Sequence, residues 1–468
     1  MVSLDSTLVN IALPSIGRAL GADVFAAQWV VSGYTLALAA LILPAGELGD
    51  RFGRRRVFIC GSVGFALACG LCSIASNLEM LVAARVVEGI AAAVVLPSGL
   101  ALISTSIDRR DHGAAIGAWA GLGGLAGIAG PIAGGGLVEV AGWRAAFLIN
   151  APLALIAAVI LLKYVPEYRD SDRNVPMDLP GVLAAVAGLC GLAFGLISGL
   201  VWVDLCGVAI LVLFVAIQVR SDHPLVPPVL FTSRVFPTAN LVTLLVDAAV
   251  SCGLFLLVLQ LQVVARYTPL EAGAATVPVT FILLVASKRM GHWAQRHGAR
   301  VPMIAGPALA ALGLILLTRI GVAAPFCSAV LPGTILLGAG WAVYAAPLTS
   351  AMLDSVHPSE IGIASGVNYT VSRTGQLLAV AALPGLAGMS GHSLTDAVAF
   401  GVCFRAVLLI CAGLMVAGAI CSAVLMPSHR KYCHQISDSR AWRCGSASGS
   451  NRTESPCVRS RIDSQEWE

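Results

Sequence analysis

Long apolar runs separated by short polar breaks dominate this chain. A helix needs about twenty mostly apolar residues to cross the hydrocarbon core of a bilayer. Runs of that kind occupy residues 1–17, 28–48, 57–75, 79–105, 113–138 and 145–165. A polar break at 166–178 precedes a pair of runs at 179–200 and 201–219. A second break, 220–234, carries His223-Pro224 and Pro227-Pro228, which a helix interior does not tolerate. Six further runs follow at 239–263, 271–290, 301–319, 326–352, 363–388 and 399–426. The pattern predicts an all-α polytopic membrane protein with about fourteen transmembrane helices arranged six, two and six. The domains expected are an N-terminal six-helix bundle (1–165), a central linker with two extra spans (166–235, spans at 179–219), and a C-terminal six-helix bundle (236–427). Residues 428–468 differ sharply: rich in Ser and Arg without apolar periodicity, they read as a disordered cytoplasmic tail.

Composition narrows the class further. Hydrophobic residues make up 57% of the chain and charged residues only 12%, with a mean hydropathy of +0.86, outside the range of soluble domains. The net charge of +4 is small and the basic residues cluster in short loops, so nucleic acid is not an expected partner. Basic residues at membrane boundaries stay on the cytoplasmic side. With a cytoplasmic N-terminus, the inside loops carry fifteen of them: Arg51, Arg54 to Arg56, Arg109, Arg110, Lys163, Arg169, Arg173, Arg220, Arg234, Lys288, Arg289, Arg296 and Arg300. The outside loops carry four, Arg18, Arg144, Arg266 and Arg319. The expectation is a monomer in the cell membrane with both termini cytoplasmic.

One loop stands out. Residues 46–56, GELGDRFGRRR, place four arginines and Asp50 between two spans. Gly49 and Gly53 allow a tight turn there, and Asp50 can offset the neighbouring guanidiniums or cap a helix N-terminus. Residues 291–300, GHWAQRHGAR, echo the stretch: Gly46 aligns with Gly291, Arg51 with Arg296, Gly53 with Gly298 and Arg55 with Arg300, while Asp50 becomes Gln295. Related loops at corresponding places imply an internal repeat, a feature of many secondary transporters.

The fifth span is punctuated by glycine, with Gly123, Gly127, Gly130 and Gly134 predicted to line one face and admit a neighbouring helix, and with Pro131 predicted to bend it. Ten of the thirteen cysteines fall within spans, where a thiol behaves as a small hydrophobe. Cys69-x-x-Cys72 therefore reads as core packing, and no metal site is expected. Ionisable groups inside a membrane are expensive and are functional candidates. They are Asp5, Arg85, Glu88, Asp247 and Arg373. Arg85 and Glu88, three apart, share a helix face; they form either a local ion pair or a pair in which Arg85 holds a carboxylate ionised in only one conformation. Asp247 either meets the cationic part of a substrate or makes a polar contact between helices.

These residues carry a family resemblance from residue 1 to about 426. Gly46 to Arg55 resembles the signature loop of the major facilitator superfamily, and Gly117, Gly130-Pro131 and Gly134-Gly135 resemble the motif of its antiporters, with Ala126 where that motif has glycine. Leu4-Asp5-Ser6-Thr7 with Val9 to Pro14, and Gln28-Trp29 with Tyr34, are similar to the first and second helices of the fourteen-helix drug:proton antiporters. Arg85-Val86-Val87-Glu88-Gly89 resembles the fourth-helix motif, with Glu88 in place of a neutral amide. Asp5 has four residues before it where the family's aspartate lies deeper. Either the true start lies upstream, which is the expectation, or Asp5 sits near the membrane surface in contact with water.

The resemblance implies proton-driven export of hydrophobic or cationic compounds, with no cofactor beyond the proton gradient and no enzymatic step. Asp5, Arg85, Glu88, Asp247 and Arg373 would couple protons and bind substrate. Gly46, Asp50, Arg51, Gly53, Arg54 and Arg55, with Gly291, Arg296, Gly298 and Arg300, would gate the cycle, and Asp50→Asn is expected to impair transport without impairing insertion. An exporter of a metabolite, lipid or siderophore, or a sensor on the same scaffold, stays open as an alternative. The absence of a Gly-Lys dipeptide, and so of a P-loop, disfavours an ATP-driven pump, and no G-x-S-x-G or H-E-x-x-H supports an enzyme.

Overall fold

The computed structural model describes residues 1–21, 24–106, 112–167, 178–357, 360–389 and 397–427. Arg109, Arg110, Arg169, Arg173 and the tail lie outside them, and of Asp50 and Gly117 only the helical backbone is described. Met1–Met426 form one compact unit.

All fourteen expected spans are helical. In chain order they are α1 (Val2–Leu20), α2 (Val24–Phe52), α3 (Arg54–Ser73), α4 (Leu78–Ser106), α5 (His112–Ala141), α6 (Trp143–Leu148) and α7 (Asn150–Tyr164), then α8 (Leu179–Ser198) and α9 (Val201–Arg220). The last six are α10 (Val235–Val263), α11 (Pro269–His297), α12 (Arg300–Leu317), α13 (Leu331–Asp354), α14 (Ile361–Leu386) and α15 (Ala397–Leu425). No strand occurs among the described residues. The expected sixth span is divided at Ile149 into α6 and α7. Pro152 accounts for the break: it has no N–H to offer the carbonyl of Leu148 four residues earlier. Before α13 the backbone passes through a π turn, Phe326–Val330, flanked by Pro325 and Pro332.

Counting α6 with α7 and the π turn with α13, twelve helices among the described residues are long and apolar enough to cross a membrane. The two that fall short in apolarity are α1 and α14. They are rich in polar residues: Asp5, Ser6, Thr7 and Asn10 on α1, and Asn368, Tyr369, Thr370, Ser372, Arg373 and Gln376 on α14. Apart from Asp5, these side chains are all half-buried, as suits helices turned toward protein rather than lipid. By contrast α9, packed on α8, exposes Val201, Trp202, Leu205, Val212 and Val219, an apolar surface suited to lipid.

Packing repeats across the chain. The contacts α2 with α4, α3 with α4, α3 with α7 and α1 with α5 are matched by α11 with α13, α12 with α13, α12 with α15 and α10 with α14. The first six spans meet the last six chiefly where α2 lies on α14 and α5 on α11. Those two contacts exchange under the same correspondence, as an internal two-fold repeat requires.

Candidate functional site

The aligned loops repeat in atomic detail. Gly53 (φ 101°) precedes α3 and Gly298 (φ 93°) precedes α12, both in the left-handed region that favours glycine. Two residues later, Arg55 donates to the carbonyl of Leu162 on α7, and Arg300 donates to the carbonyl of Ala423 on α15. Gly46 faces Pro97 of α4, and its counterpart Gly291 faces Ala346 of α13, next to Pro347. Arg54 donates to the carbonyl of Ala101 at 3.2 Å, whereas Arg51 and Arg296 are exposed, with Arg51 over the Phe52 ring.

A carboxylate that sequence reasoning missed completes the first loop. Glu167, just past α7, accepts from the backbone N–H of Arg55 at 3.2 Å and lies 3.5 Å from Arg56 Nε. It supplies negative charge at the N-terminus of α3, where unpaired N–H groups and the helix dipole favour it. A Cβ added at Gly53 would run into this carboxylate. Gly53→Ala is therefore expected to cost about 1–2 kcal/mol from the left-handed backbone alone. A lower thermal midpoint, partly relieved by Glu167→Ala in the double variant, is the result that checks it.

Deeper in, Asp5, Arg85 and Glu88 meet with at most 1% of each side chain exposed. Arg85 Nη1 donates to Asp5 Oδ2 and to Glu88 Oε2, both at 2.8 Å, and Arg85 Nε donates to the carbonyl of Val30 at 3.1 Å. The guanidinium also rests on the Tyr34 ring, 4.2 Å from its centroid, a cation–π contact. One guanidinium thus faces two carboxyl groups from two helices. Asp5 stands in the first turn of α1 and is sealed from solvent.

Three polar groups complete this cluster that the sequence did not mark as part of it. Asn150 Nδ2, at the start of α7, donates to Asp5 Oδ1 at 3.2 Å. Cys69 and Cys72 donate to Glu88 Oε1 and Oε2 at 3.3 and 3.5 Å. The C-x-x-C pair is buried, as expected, but it solvates a carboxylate rather than only filling space. One turn of α3 separates the two thiols, so both reach the same partner on α4. A lone amide in an apolar span and a Cys pair one turn apart were the signals available in the sequence.

Asp247 and Arg373 belong to a second network. Asp247, half-buried on α10, accepts from Tyr344 of α13 and Ser372 of α14, both at 2.5 Å. Gln376 donates to Ser372 at 3.2 Å and accepts from Arg373 Nη1 at 2.9 Å; Arg373 Nη2 donates to Tyr369 at 2.9 Å. Asp247 thus bridges α10 to α13 and α14. Asn368 adds a further bridge from α14 to Asn240 and Thr243 on α10.

The glycines of α5 face two helices, which corrects the single face expected. Cβ atoms at Gly130 and Gly134 would strike Thr7 and Leu8 of α1, whereas those at Gly124 and Gly135 would strike Leu284 and Leu270 of α11. Gly127 also faces α11, and Gly123 has open space. The α-helical repeat of about 100° per residue carries successive glycines round the cylinder, so both neighbours are served. Ala126 is half-buried, and α5 runs unbroken through Pro131.

The family model of the Major Facilitator Superfamily matches residues 1–380. The chain belongs to this superfamily. It is 35% identical over 398 residues to the puromycin resistance protein pur8 of Streptomyces alboniger, covering 82% of this chain and 78% of the relative. It is 32% identical over 397 residues to the multidrug resistance protein Stp of Mycobacterium tuberculosis, covering 82% and 73%. Among solved structures, the POT family transporter PepTSo superposes with a TM-score of 0.65 at 17% identity, covering 93% of this chain and 98% of that one. A bacterial homolog of the lysosomal transporter Spinster gives 0.64 at 15% identity, covering 90% and 93%. These similarities establish a multi-span transporter of the major facilitator fold.

Proposed function

We propose that this major facilitator exports drug-like or antibiotic molecules from the cell in exchange for protons. The resistance relatives support the substrate class. The observation that carries the exchange is Arg85 bridging Asp5 and Glu88 out of contact with water. In a dry site, two carboxylates and one guanidinium leave an unbalanced negative charge, which a proton neutralises at far lower cost than burial of the free ion. Protonation loosens the hold of Arg85 on α1, and the two sets of six spans then rock against each other along the α2–α14 and α5–α11 contacts.

In this reading both termini are cytoplasmic, the monomer is the working unit, and the paired loops hold the cytoplasmic side. Asp247 offers its carboxylate to the cationic part of a substrate. The test is purified protein in liposomes with an imposed pH gradient and no ATP. Substrate-dependent proton movement, lost in Asp5→Asn, is the expected result. Transport by wild type that ignores the pH gradient would remove the exchange mechanism.

A further inference from the structure

Arg85 and Arg373 have opposite surroundings. Arg85 touches two carboxyl groups, but every direct partner of Arg373 is neutral: Gln376 Oε1, Tyr369 Oη and the face of the Tyr369 ring at 5.0 Å. Asp247 is reached only through Gln376 and Ser372, and it already accepts two hydroxyl donors. The Nε–H of Arg373 is buried with no hydrogen-bond partner. Two further groups nearby share that condition. Thr370 Oγ1, three residues earlier and so on the same face of α14, is buried without a partner. So is the hydroxyl of Tyr34, a residue only 2% exposed on α2, which packs against α14. Tyr34 lies within electrostatic reach of both Arg373 and Arg85, and Tyr369 packs against the core cluster that contains it.

Each of these groups can donate a hydrogen bond, and a buried donor left unsatisfied is costly unless an acceptor arrives. A guanidinium without a directly bonded carboxylate adds positive charge, and it sits on α14 among half-buried polar side chains. We infer that Arg373, with Tyr34 and Thr370, forms a subsite spanning α2 and α14 that receives an anionic oxygen of the transported molecule, a carboxylate or an ionised phenol. The inference rests on the exporter reading and adds to it that substrates carry an acid group, not only a cationic one. Binding there ties α14 to α2 across one of the two contacts between the sets of spans, so the substrate's anionic end is read at the surface where the protein changes shape.

The experiment uses the full-length protein in liposomes and matched pairs of amphiphilic aromatic compounds that differ only as free carboxylic acid and methyl ester. Wild type is expected to transport the acid in preference to the ester. Arg373→Gln is expected to lower acid transport, and with it the ratio of acid to ester transport, by about tenfold or more. Arg373→Lys, which keeps the charge but not the planar donor set, should fall between, and Tyr34→Phe should lower acid transport severalfold while keeping the ring under Arg85. Equal treatment of acid and ester by wild type, or equal loss of both in Arg373→Gln and Arg373→Lys, overturns the subsite but leaves the exporter reading intact. Movement of neither compound by wild type overturns both.

Discussion

Replacing Arg85 by Met abolishes exchange and destabilises the protein by about 3–5 kcal/mol, the range for removing one partner of a buried ion pair. The loss is large because Arg85 Nη1 is the shared donor to Asp5 and Glu88, and neither acid can turn to water. Their remaining donors are the Asn150 amide and two thiols, which carry no charge. Adding Asp5→Asn and Glu88→Gln to Arg85→Met removes the uncompensated charge, so the triple variant should recover much of the thermal stability without recovering transport. Unfolding midpoints of the single and triple variants in detergent measure this directly, and a triple variant no more stable than Arg85→Met would show that packing of the long side chain, not charge, accounts for the loss. Glu88→Gln alone separates the two readings of the Arg85–Glu88 pair. Unchanged exchange would make it a static ion pair, whereas altered proton movement per substrate would place Glu88 in the cycle.

The second large effect lies where α5 crosses α11. Valine at Gly135 would bring its Cβ within 2.5 Å of Leu270 Cα and 2.6 Å of the Pro269 carbonyl oxygen, both backbone atoms of α11 that cannot swing aside. Gly273 of α11 faces the Pro131 carbonyl of α5 in return. Overpacking of this kind costs about 1–3 kcal/mol when neighbours can yield, and here a whole helix must retreat. Gly135→Val is therefore expected to abolish transport and lower stability. Its immediate neighbour provides the control: a Cβ at Gly136 meets nothing within 4 Å, so Gly136→Ala should transport normally. Comparable loss in both variants would mean that glycine acts here through backbone flexibility rather than through close approach.

Much of the architecture was legible before any coordinates. Fourteen apolar runs became helices because a backbone in lipid must satisfy its own hydrogen bonds, which leaves the helix as the local solution wherever a run is long enough. The repeat was legible as well, since Gly53 and Gly298 mark backbone conformations that other residues adopt with strain, and Arg55 and Arg300 keep a constant offset from them. Ionisable residues in apolar spans announced themselves through their cost.

Partner choice was not legible. The C-x-x-C pair read as packing, because nothing in a linear spacing says which helix will lie opposite; its proximity to Glu88 follows only from α3 packing on α4. Glu167 lies 112 residues from Arg55, and Asn150 lies 145 residues from Asp5. The glycines of α5 were assigned one face because periodicity counts positions on a single cylinder and cannot count its neighbours. Apolar length and residue cost act within one segment, so the chain itself determined the helices, their repeat and the few charges they bury. Which acid meets which base depends on how separate helices cross, and that is decided only in the folded protein, where Arg85 is held by two carboxyl groups and Arg373 by none.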